Sequence, residues 1–205
     1  GLLVLAGTPL GDPKDAPARL AELLASADVV AAEDTRRLRR LCDDLGVRTR
    51  GRVVSYFEGN ESARTPDLVG ALASGATVLL VTDAGMPSVS DPGYRLVRAC
   101  IDAGIGVEVV PGPSAAIAAL VVSGLPTDRF VFEGFLPKKQ GERVRRLEAL
   151  RHEPRTIVVF ESPLRVQTLL RDVLVVIGDR EVAVVRELTK LHEEVQRGRV
   201  SQVLS

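Results

Sequence analysis

Residues 77–95 read TVLLVTDAGMPSVSDPGYR, and this stretch predicts the kind of sheet on which the chain is built. Its first part, Thr77–Val81, is a short apolar run, which is typical of a strand buried on both faces. The turn that follows contains two glycines, two prolines, two aspartates and two serines. A simple reversal needs far fewer special residues. The stretch therefore predicts a buried parallel strand that ends in a backbone shaped around a ligand.

Strand-like and helix-like segments alternate along the whole chain. In the first half, strands are predicted at 2–6, 29–32, 53–57, 78–81 and 107–110, with helices at 16–26, 35–45, 66–73, 94–103 and 114–123. This alternation predicts a largely parallel sheet covered on both faces. In the second half, strands are predicted at 130–133, 156–161 and 182–188 and from about 195 onward, with helices at 141–151 and 164–177.

The predicted fold class is α/β with two domains. Residues 1–123 form a first domain with a largely parallel sheet, 124–129 a linker, and 130–205 a second α/β domain with a mixed sheet. Gly1 already lies in a strand-like run and Ser205 ends within a pattern, so we expect a chain trimmed at both ends, with an incomplete second domain.

Composition excludes several classes of protein. The chain has 27 basic and 27 acidic residues, which argues against a chain-wide electrostatic grip on nucleic acid but not against a local patch. Cys42, Cys100, His152 and His192 lack ligand spacing, so no disulfide framework and no metal are predicted. Cys100 lies on the apolar face of its helix and is expected in the core. Without a membrane-length apolar run or a leader, a cytoplasmic location is expected.

Three strands of the first domain end in turns rich in glycine, proline and small polar residues. These turns are Gly7–Asp12, Thr82–Pro92 and Pro111–Ser114. The turns either simply end the strands or line one crevice with backbone N–H and C=O groups, and their shared edge favours the crevice. The chain has neither a phosphate-binding P-loop nor a G-x-G-x-x-G motif after a strand. A zwitterionic ligand that carries adenosine suits such a crevice.

Two segments concentrate basic residues. In the first, Glu33 and Asp34 stand where a strand gives way to a helix that exposes Arg36, Arg37 and Arg40. Asp34 or Thr35 is expected to cap that helix. The segment is either a capped surface helix or an edge that faces RNA and offers a carboxylate base. The second segment, 138–155, carries seven basic residues; phosphate binding and an ordinary solvated helix are equally consistent with it.

Six stretches together resemble one family. They are GTPLG at 7–11, AAEDTR at 31–36, TDAGMP at 82–87 with SDPGYR at 90–95, FEGFLP at 132–137, FESP at 160–163 and RELTK at 186–190. They resemble the ribosomal small-subunit RNA (cytidine-2'-O)-methyltransferase I group of the tetrapyrrole methylase superfamily. The chain departs from this family at Phe57, Gly59 and Leu164, where the family commonly has histidine, and at Met86 in place of threonine. A histidine base in these motifs is therefore excluded.

The resemblance implies a two-domain fold, a homodimer, and S-adenosylmethionine held in a cleft between the domains. It implies 2'-O-methylation of a cytidine ribose in the decoding region of the small-subunit (16S) ribosomal RNA. The cofactor-binding residues that it implies are Thr8, Pro9, Gly11, Asp83, Ala84, Gly85, Pro87, Ser90, Asp91, Pro111, Ser114 and Ala115. Few aromatic residues are present for base stacking, so the target is expected to depend on the assembled particle.

A ribose hydroxyl becomes a good nucleophile only when its proton leaves, so a carboxylate or a lysine is expected near the acceptor. The candidates for this base are Glu33, Asp34, Glu161 and Lys190. Candidates for RNA contacts are Arg36, Arg37, Arg40, Lys138, Lys139, Arg165 and Arg186. Two alternatives remain open: a methyltransferase that acts on a corrin precursor, and a non-catalytic RNA- or nucleotide-binding module.

Overall fold

Residues 1–205 are all described by the computed structural model. They pack as two units, Gly1–Ser114 and Ala115–Ser205. This division falls before the helix Ala115–Ser123, whereas the sequence places the linker at 124–129. The helix packs within the second unit, because its buried Ala116 and Leu120 contact Val158 and the aromatic rings around it. The assignment of 124–129 as the functional linker stays a prediction.

The first unit is built on a five-stranded sheet in which every pair of strands is parallel. Its strands are β1 (Leu2–Ala6), β2 (Val29–Ala32), β3 (Arg52–Ser55), β4 (Thr77–Val81) and β5 (Gly106–Val110), in the order β3-β2-β4-β1-β5. Strands β1, β2 and β4 are almost wholly buried because helices cover both faces. The predicted parallel sheet is confirmed.

Four helices supply the two covering layers, and a single 3-10 turn at Pro13–Asp15 precedes them. They are α1 (Ala18–Ser26), α2 (Thr35–Asp44), α3 (Glu61–Ala73) and α4 (Tyr94–Asp102). Leu20 of α1 and Leu38 of α2 pack with Val30 on one face of the sheet. Leu68 of α3 and Cys100 of α4 pack with residues on the other face, which confirms Cys100 as a core residue.

Helix α3 begins at Glu61, well before the start predicted at Pro66. A proline usually marks the first turn of a helix, but Pro66 lies inside this one. The Asn60 carbonyl accepts from the N–H groups of Ala63 and Arg64, and the Thr65 hydroxyl donates to the Glu61 carbonyl. These bonds start the helix before the proline is reached.

The second unit contains two small sheets. Its elements are α5 (Ala115–Ser123), β6 (Phe130–Phe135), α6 (Gln140–Ala149), β7 (Thr156–Phe160), α7 (Val166–Val176), β8 (Glu181–Arg186), β9 (Glu194–Arg199) and α8 (Val200–Val203). Strands β6 and β7 are parallel, whereas β8 and β9 are antiparallel. Both strand directions therefore occur, as predicted, but in separate pairs.

One basic residue of the predicted basic helix is buried. Arg143 of α6 is only 5% exposed, although its charge suggested an outward position. Its Nε donates to Asp172 Oδ2 at 2.7 Å, and its Nη1 donates to the Lys138 carbonyl at 2.9 Å. A carboxylate from α7 thus draws this arginine into the interior. None of the helices combines the length and the apolar character that crossing a bilayer requires.

Candidate functional site at the sheet edge

The turns after β1, β4 and β5 meet at the carboxyl edge of the sheet. Thr8 and Gly85 exchange two backbone hydrogen bonds of 2.9 and 3.0 Å, and Gly7 N–H donates to the Val110 carbonyl at 3.0 Å. A Cβ on Gly7 would lie 2.6 Å from the Gly112 Cα, so only glycine permits this approach. The corners that the sequence predicts to share an edge are therefore in contact.

The turn between β4 and α4 is conformationally strained. Ser88 and Ser90 have φ angles of +71° and +62°, in the left-handed region that non-glycine residues rarely adopt. Gly93 has a φ of +142°, and its N–H donates to Glu61 Oε1 at 2.8 Å. Residues are held in such conformations only where their surroundings determine them, and such positions cluster at functional sites.

Reciprocal hydrogen bonds join the end of β2 to the end of β4. The Asp83 N–H donates to Glu33 Oε2 at 3.1 Å, and the Asp34 N–H donates to Asp83 Oδ1 at 3.2 Å. Arg37 Nε lies 3.4 Å from Asp83 Oδ2. The carboxylates of Glu33 and Asp83 are thus fixed side by side and are only partly neutralised.

Burial and mutual repulsion change how these carboxyl groups titrate. Burial raises the pKa of Glu33, and the neighbouring Asp83 carboxylate raises it further. Burial also raises the pKa of Asp83, against the opposing effect of Arg37. Burial, followed by the charge of Glu33, raises the pKa of Asp91 to about 6. The edge therefore carries a surplus of negative charge and carboxyl groups that bind a proton more readily than free ones do.

The Thr82 hydroxyl is buried beside these carboxylates. It lies close enough to Asp91 to lower the pKa of that group slightly, but it completes no hydrogen bond of normal geometry. A buried polar group without a partner costs free energy unless something else supplies one. Thr82 lies on the wall of a small cavity of about 50 Å³, together with Thr8, Pro9, Glu33, Asp34, Arg37 and Asp83.

Asp34 differs from its neighbours because it has a cation of its own. Its Oδ1 accepts from the Arg36 N–H at 2.8 Å and caps α2, as expected. Its Oδ2 forms an ion pair with Arg36 Nη2, also at 2.8 Å. These bonds to Arg36 hold the pKa of Asp34 well below its usual range. Asp34 is therefore a helix cap and a weak proton acceptor.

The remaining candidates lie in the second unit, and most of them are paired. Arg165 binds Glu161 through Nη2, while its Nη1 is buried without a partner. Arg186 binds Glu194, and Lys190 Nζ lies 3.1 Å from Glu187 Oε1. Glu161, the only carboxylate among these candidates, is therefore already paired with a cation.

Comparisons with known proteins agree with this geometry. Residues 2–204 match the family model described as Tetrapyrrole (Corrin/Porphyrin) Methylases. The chain belongs to the tetrapyrrole methylase family. It is 55% identical over 204 residues to "Ribosomal RNA small subunit methyltransferase I" of Mycobacterium tuberculosis (strain CDC 1551 / Oshkosh), covering 99% of this chain and 72% of the relative. It is 46% identical to the protein of that name from Thermotoga maritima, covering all of this chain and 91% of the relative.

A solved structure has the same fold. The uroporphyrin-III C-methyltransferase of Thermus thermophilus, complexed with S-adenosylhomocysteine, superimposes with a TM-score of 0.65 at 22% identity. The match covers 99% of this chain and 85% of that chain. The two-domain methylase fold expected from the sequence is confirmed, and so is membership of the ribosomal RNA small subunit methyltransferase I group.

Most residues that the sequence proposes for cofactor binding by this tetrapyrrole methylase lie in the three turns. Thr8, Pro9 and Gly85 are buried there, and Asp83, Ala84 and Asp91 are half-buried. The others are Gly11, Pro87, Ser90, Pro111 and Ser114 in the same turns, and Ala115, which begins α5 in the second unit. Arg37 and Asp34 line the small cavity, whereas Arg40, Lys138 and Lys139 are exposed.

The sequence reasoning missed Glu61 as a residue of this methylase site. It is only 8% exposed, and it holds Gly93 and Arg95 at the end of the strained turn. The sequence offered one signal for it, which is that an acidic residue stands just before a helical pattern. His152 and His192 are exposed, and no group of His, Cys, Asp and Glu side chains has the geometry of a metal site.

Proposed function

We propose that this methylase transfers a methyl group from S-adenosylmethionine to the 2'-oxygen of a cytidine ribose in the decoding region of 16S ribosomal RNA. The observation that carries the proposal is the acidic, glycine-lined edge of the first unit, where three half-buried carboxylates, Glu33, Asp83 and Asp91, have one ion-pair partner, Arg37. Relatives at 46–55% identity bear the name of a small-subunit rRNA methyltransferase, and a protein of the same fold has been solved in complex with S-adenosylhomocysteine.

The residues at this edge fit the proposed cofactor. When bound, S-adenosylmethionine supplies a methyl group on a positively charged sulfur, and that bond breaks as the bond to oxygen forms. The carboxylates of Glu33, Asp83 and Asp91 favour such a cation. The Thr82 hydroxyl offers an unused hydrogen-bonding group, and the glycine-lined turns expose backbone N–H and C=O groups. The proposed set is the Thr8–Gly11, Asp83–Pro87, Ser90–Asp91 and Pro111–Ala115 segments.

Glu33 is the strongest of the four candidates for the base. Burial raises its pKa, so it binds a proton more readily than a free carboxylate does, and it lies on the cavity wall. Asp34 has a lowered pKa, and Glu161 and Lys190 are each held by a partner of opposite charge. In the proposed reaction, Glu33 takes the proton of the 2'-hydroxyl while the turns hold the reactants in line.

The proposed partner is the RNA of the small ribosomal subunit, within the assembled particle. Its phosphates are assigned to Arg36, Arg37, Arg40, Lys138, Lys139, Arg165 and Arg186. Each of these cations is exposed or partly exposed. A homodimer, a cytoplasmic location and a division of the chain into 1–123 and 130–205 remain part of the proposal.

A methylation assay with tritiated cofactor tests the proposal. Small subunits isolated from cells without this methylation serve as acceptors, with free RNA oligomers and a corrin precursor in parallel. Label is expected in the small subunit alone, and digestion to nucleosides followed by mass spectrometry should identify 2'-O-methylcytidine. Methylation of the corrin precursor, or a base-methylated product, would contradict the proposed acceptor. The absence of calorimetric binding of S-adenosylmethionine would favour a non-catalytic module.

The role of Glu33 is tested with Glu33→Gln and the matched variant Asp34→Asn. We expect kcat to fall by about 10²–10⁴ for Glu33→Gln, because a general base contributes that much. The affinity for the cofactor should fall much less than kcat, because Gln still accepts from the Asp83 N–H and the charges of Asp83 and Asp91 remain. Asp34→Asn should retain most of its kcat, because Asn also caps helices. Equal losses of kcat in the two variants would exclude the assignment.

A further inference from the structure

A groove runs between α2 and the edge strand β3, outside the site described above. Its volume is about 410 Å³. Leu38, Cys42, Val47 and Val53 form its apolar floor, and its charged lining consists of Arg39, Arg48 and Asp43. Val53 is 37% exposed although it belongs to a strand, because β3 has no neighbour on its outer side.

The groove adjoins the proposed catalytic edge. Leu38 lines both the groove and the small cavity that contains Glu33. Thr35 begins α2 directly after Asp34 and lines the groove at that end. The groove and the small cavity thus lie next to each other along α2, so an RNA strand with one nucleotide at the carboxylates has its neighbouring nucleotides near the groove.

The charge around the groove is positive and unpaired. Arg36 and Arg37 form ion pairs with Asp34 and Asp83, respectively. Beyond them, residues 39–52 include five arginines that are all exposed and form no ion pair in the structure: Arg39, Arg40, Arg48, Arg50 and Arg52. Only Asp43 and Asp44 oppose them in that segment, which leaves a net charge of +3.

We propose that this groove binds the single-stranded RNA that flanks the methylated nucleotide. Phosphates contact Arg39 and Arg48, and a nucleobase lies against the apolar floor. This inference rests on the proposed function and adds to it two RNA contacts and a path for the strand. Arginine suits the task because its planar guanidinium binds phosphate bidentately, and single-stranded RNA offers unstacked bases to an apolar surface.

A second copy of the chain fits this surface less well than RNA. Dimer contacts between identical patches would set the arginines of one copy against those of the other. Exposed charged side chains on an edge strand also disfavour pairing of that edge with another strand. RNA phosphates supply the negative charge that the patch lacks.

The test uses the full chain with Arg39→Glu and Arg48→Glu combined. A matched control combines Arg19→Glu on α1 with Arg64→Glu on α3, since both arginines are exposed and form no ion pair. With small subunits as the acceptor, KM is expected to rise at least tenfold in the groove variant, with kcat and the Kd for S-adenosylmethionine unchanged. The control should shift KM less than twofold.

Salt dependence provides a second measurement. Each phosphate contact to a single strand contributes about 0.7 to the slope of log K against log salt concentration, so the slope should fall by about 1.4 in the groove variant. If the wild-type protein methylates the small subunit but the groove variant has the same KM and the same slope, the RNA assignment of the groove is overturned and the proposed function is not. A wild-type protein without rRNA methylation would overturn the proposed function instead. A groove variant whose oligomeric state changes would assign this face to a protein contact and overturn the RNA assignment.

Discussion

Replacement of Glu61 by alanine is expected to loosen the turn that carries Ser90 and Asp91. The Glu61 side chain is 10% exposed. It accepts from the Gly93 N–H at 2.8 Å and lies 3.7 Å from Arg95 Nε. A hydrogen bond to a charged group contributes about 1.5–3 kcal/mol, and an ion pair with an exposed arginine contributes at most about 1 kcal/mol. We therefore expect Glu61→Ala to lower the free energy of unfolding by about 2–3 kcal/mol.

The effect should also be local. The Gly93 N–H is left without its acceptor at the start of α4, and the turn from Thr82 to Gly93 loses the bond that closes it. Hydrogen exchange of peptides that cover 84–94 should accelerate more than exchange in β1 or β4. Calorimetry should show weaker binding of S-adenosylmethionine, because residues of this turn are proposed to hold it.

Two matched variants separate the hydrogen bond from the ion pair. Arg95→Ala removes the ion pair alone and should cost at most about 1 kcal/mol in urea unfolding followed by far-ultraviolet circular dichroism. Glu61→Gln keeps an acceptor oxygen for Gly93 and should preserve the protection of the turn. The reasoning is refuted if Glu61→Ala and Arg95→Ala destabilise equally, or if exchange at 84–94 does not respond to Glu61→Ala.

Three further predictions concern packing, backbone and pH. Asp172→Ala leaves a buried arginine charge unpaired and should cost about 3–5 kcal/mol in urea unfolding, whereas Arg98→Ala breaks an exposed pair with Asp102 and should cost at most about 1 kcal/mol. Gly93→Ala should destabilise strongly, because its φ is +142° and a Cβ there would collide with a serine hydroxyl, whereas Gly70→Ala in open helix should stabilise by about 1 kcal/mol. The pKa of Asp91 is raised from 3.8 to about 6, so the folded state disfavours its ionised form above pH 6 and loses that penalty as pH falls toward 4. Asp91→Asn should therefore raise Tm at pH 8 and leave it nearly unchanged at pH 4 in calorimetric scans.

The sheet could be predicted because its information is local. Apolar runs such as Leu2–Ala6 and Thr77–Val81 are long enough for a buried strand and are bounded by turn residues. Parallel pairing follows from the helices between them, and parallel pairing in turn places the strand-end turns on one edge. The cap on α2 was also local, since Asp34 stands immediately before the helix that it caps.

The contacts that complete the site depend on residues far apart in the chain. Glu61 and Gly93 lie 32 positions apart, and Glu33 and Asp83 lie 50 apart. Arg143 shows the same limit, because a helical pattern cannot reveal the carboxylate of Asp172 that makes its burial possible. Charge alone therefore predicted the wrong environment for Arg143, and it gave no reason to choose among the acidic candidates.

The absence of histidine from the motifs bears directly on the choice of the catalytic base. Phe57 and Leu164 stand where the family resemblance leads us to expect histidine, and neither side chain can accept a proton. Burial and a neighbouring carboxylate raise the pKa of Glu33, so this group binds a proton more readily than an ordinary carboxylate does. The acidic edge would therefore supply both the negative charge that a cationic cofactor requires and, through Glu33, the group that takes the proton of the 2'-hydroxyl.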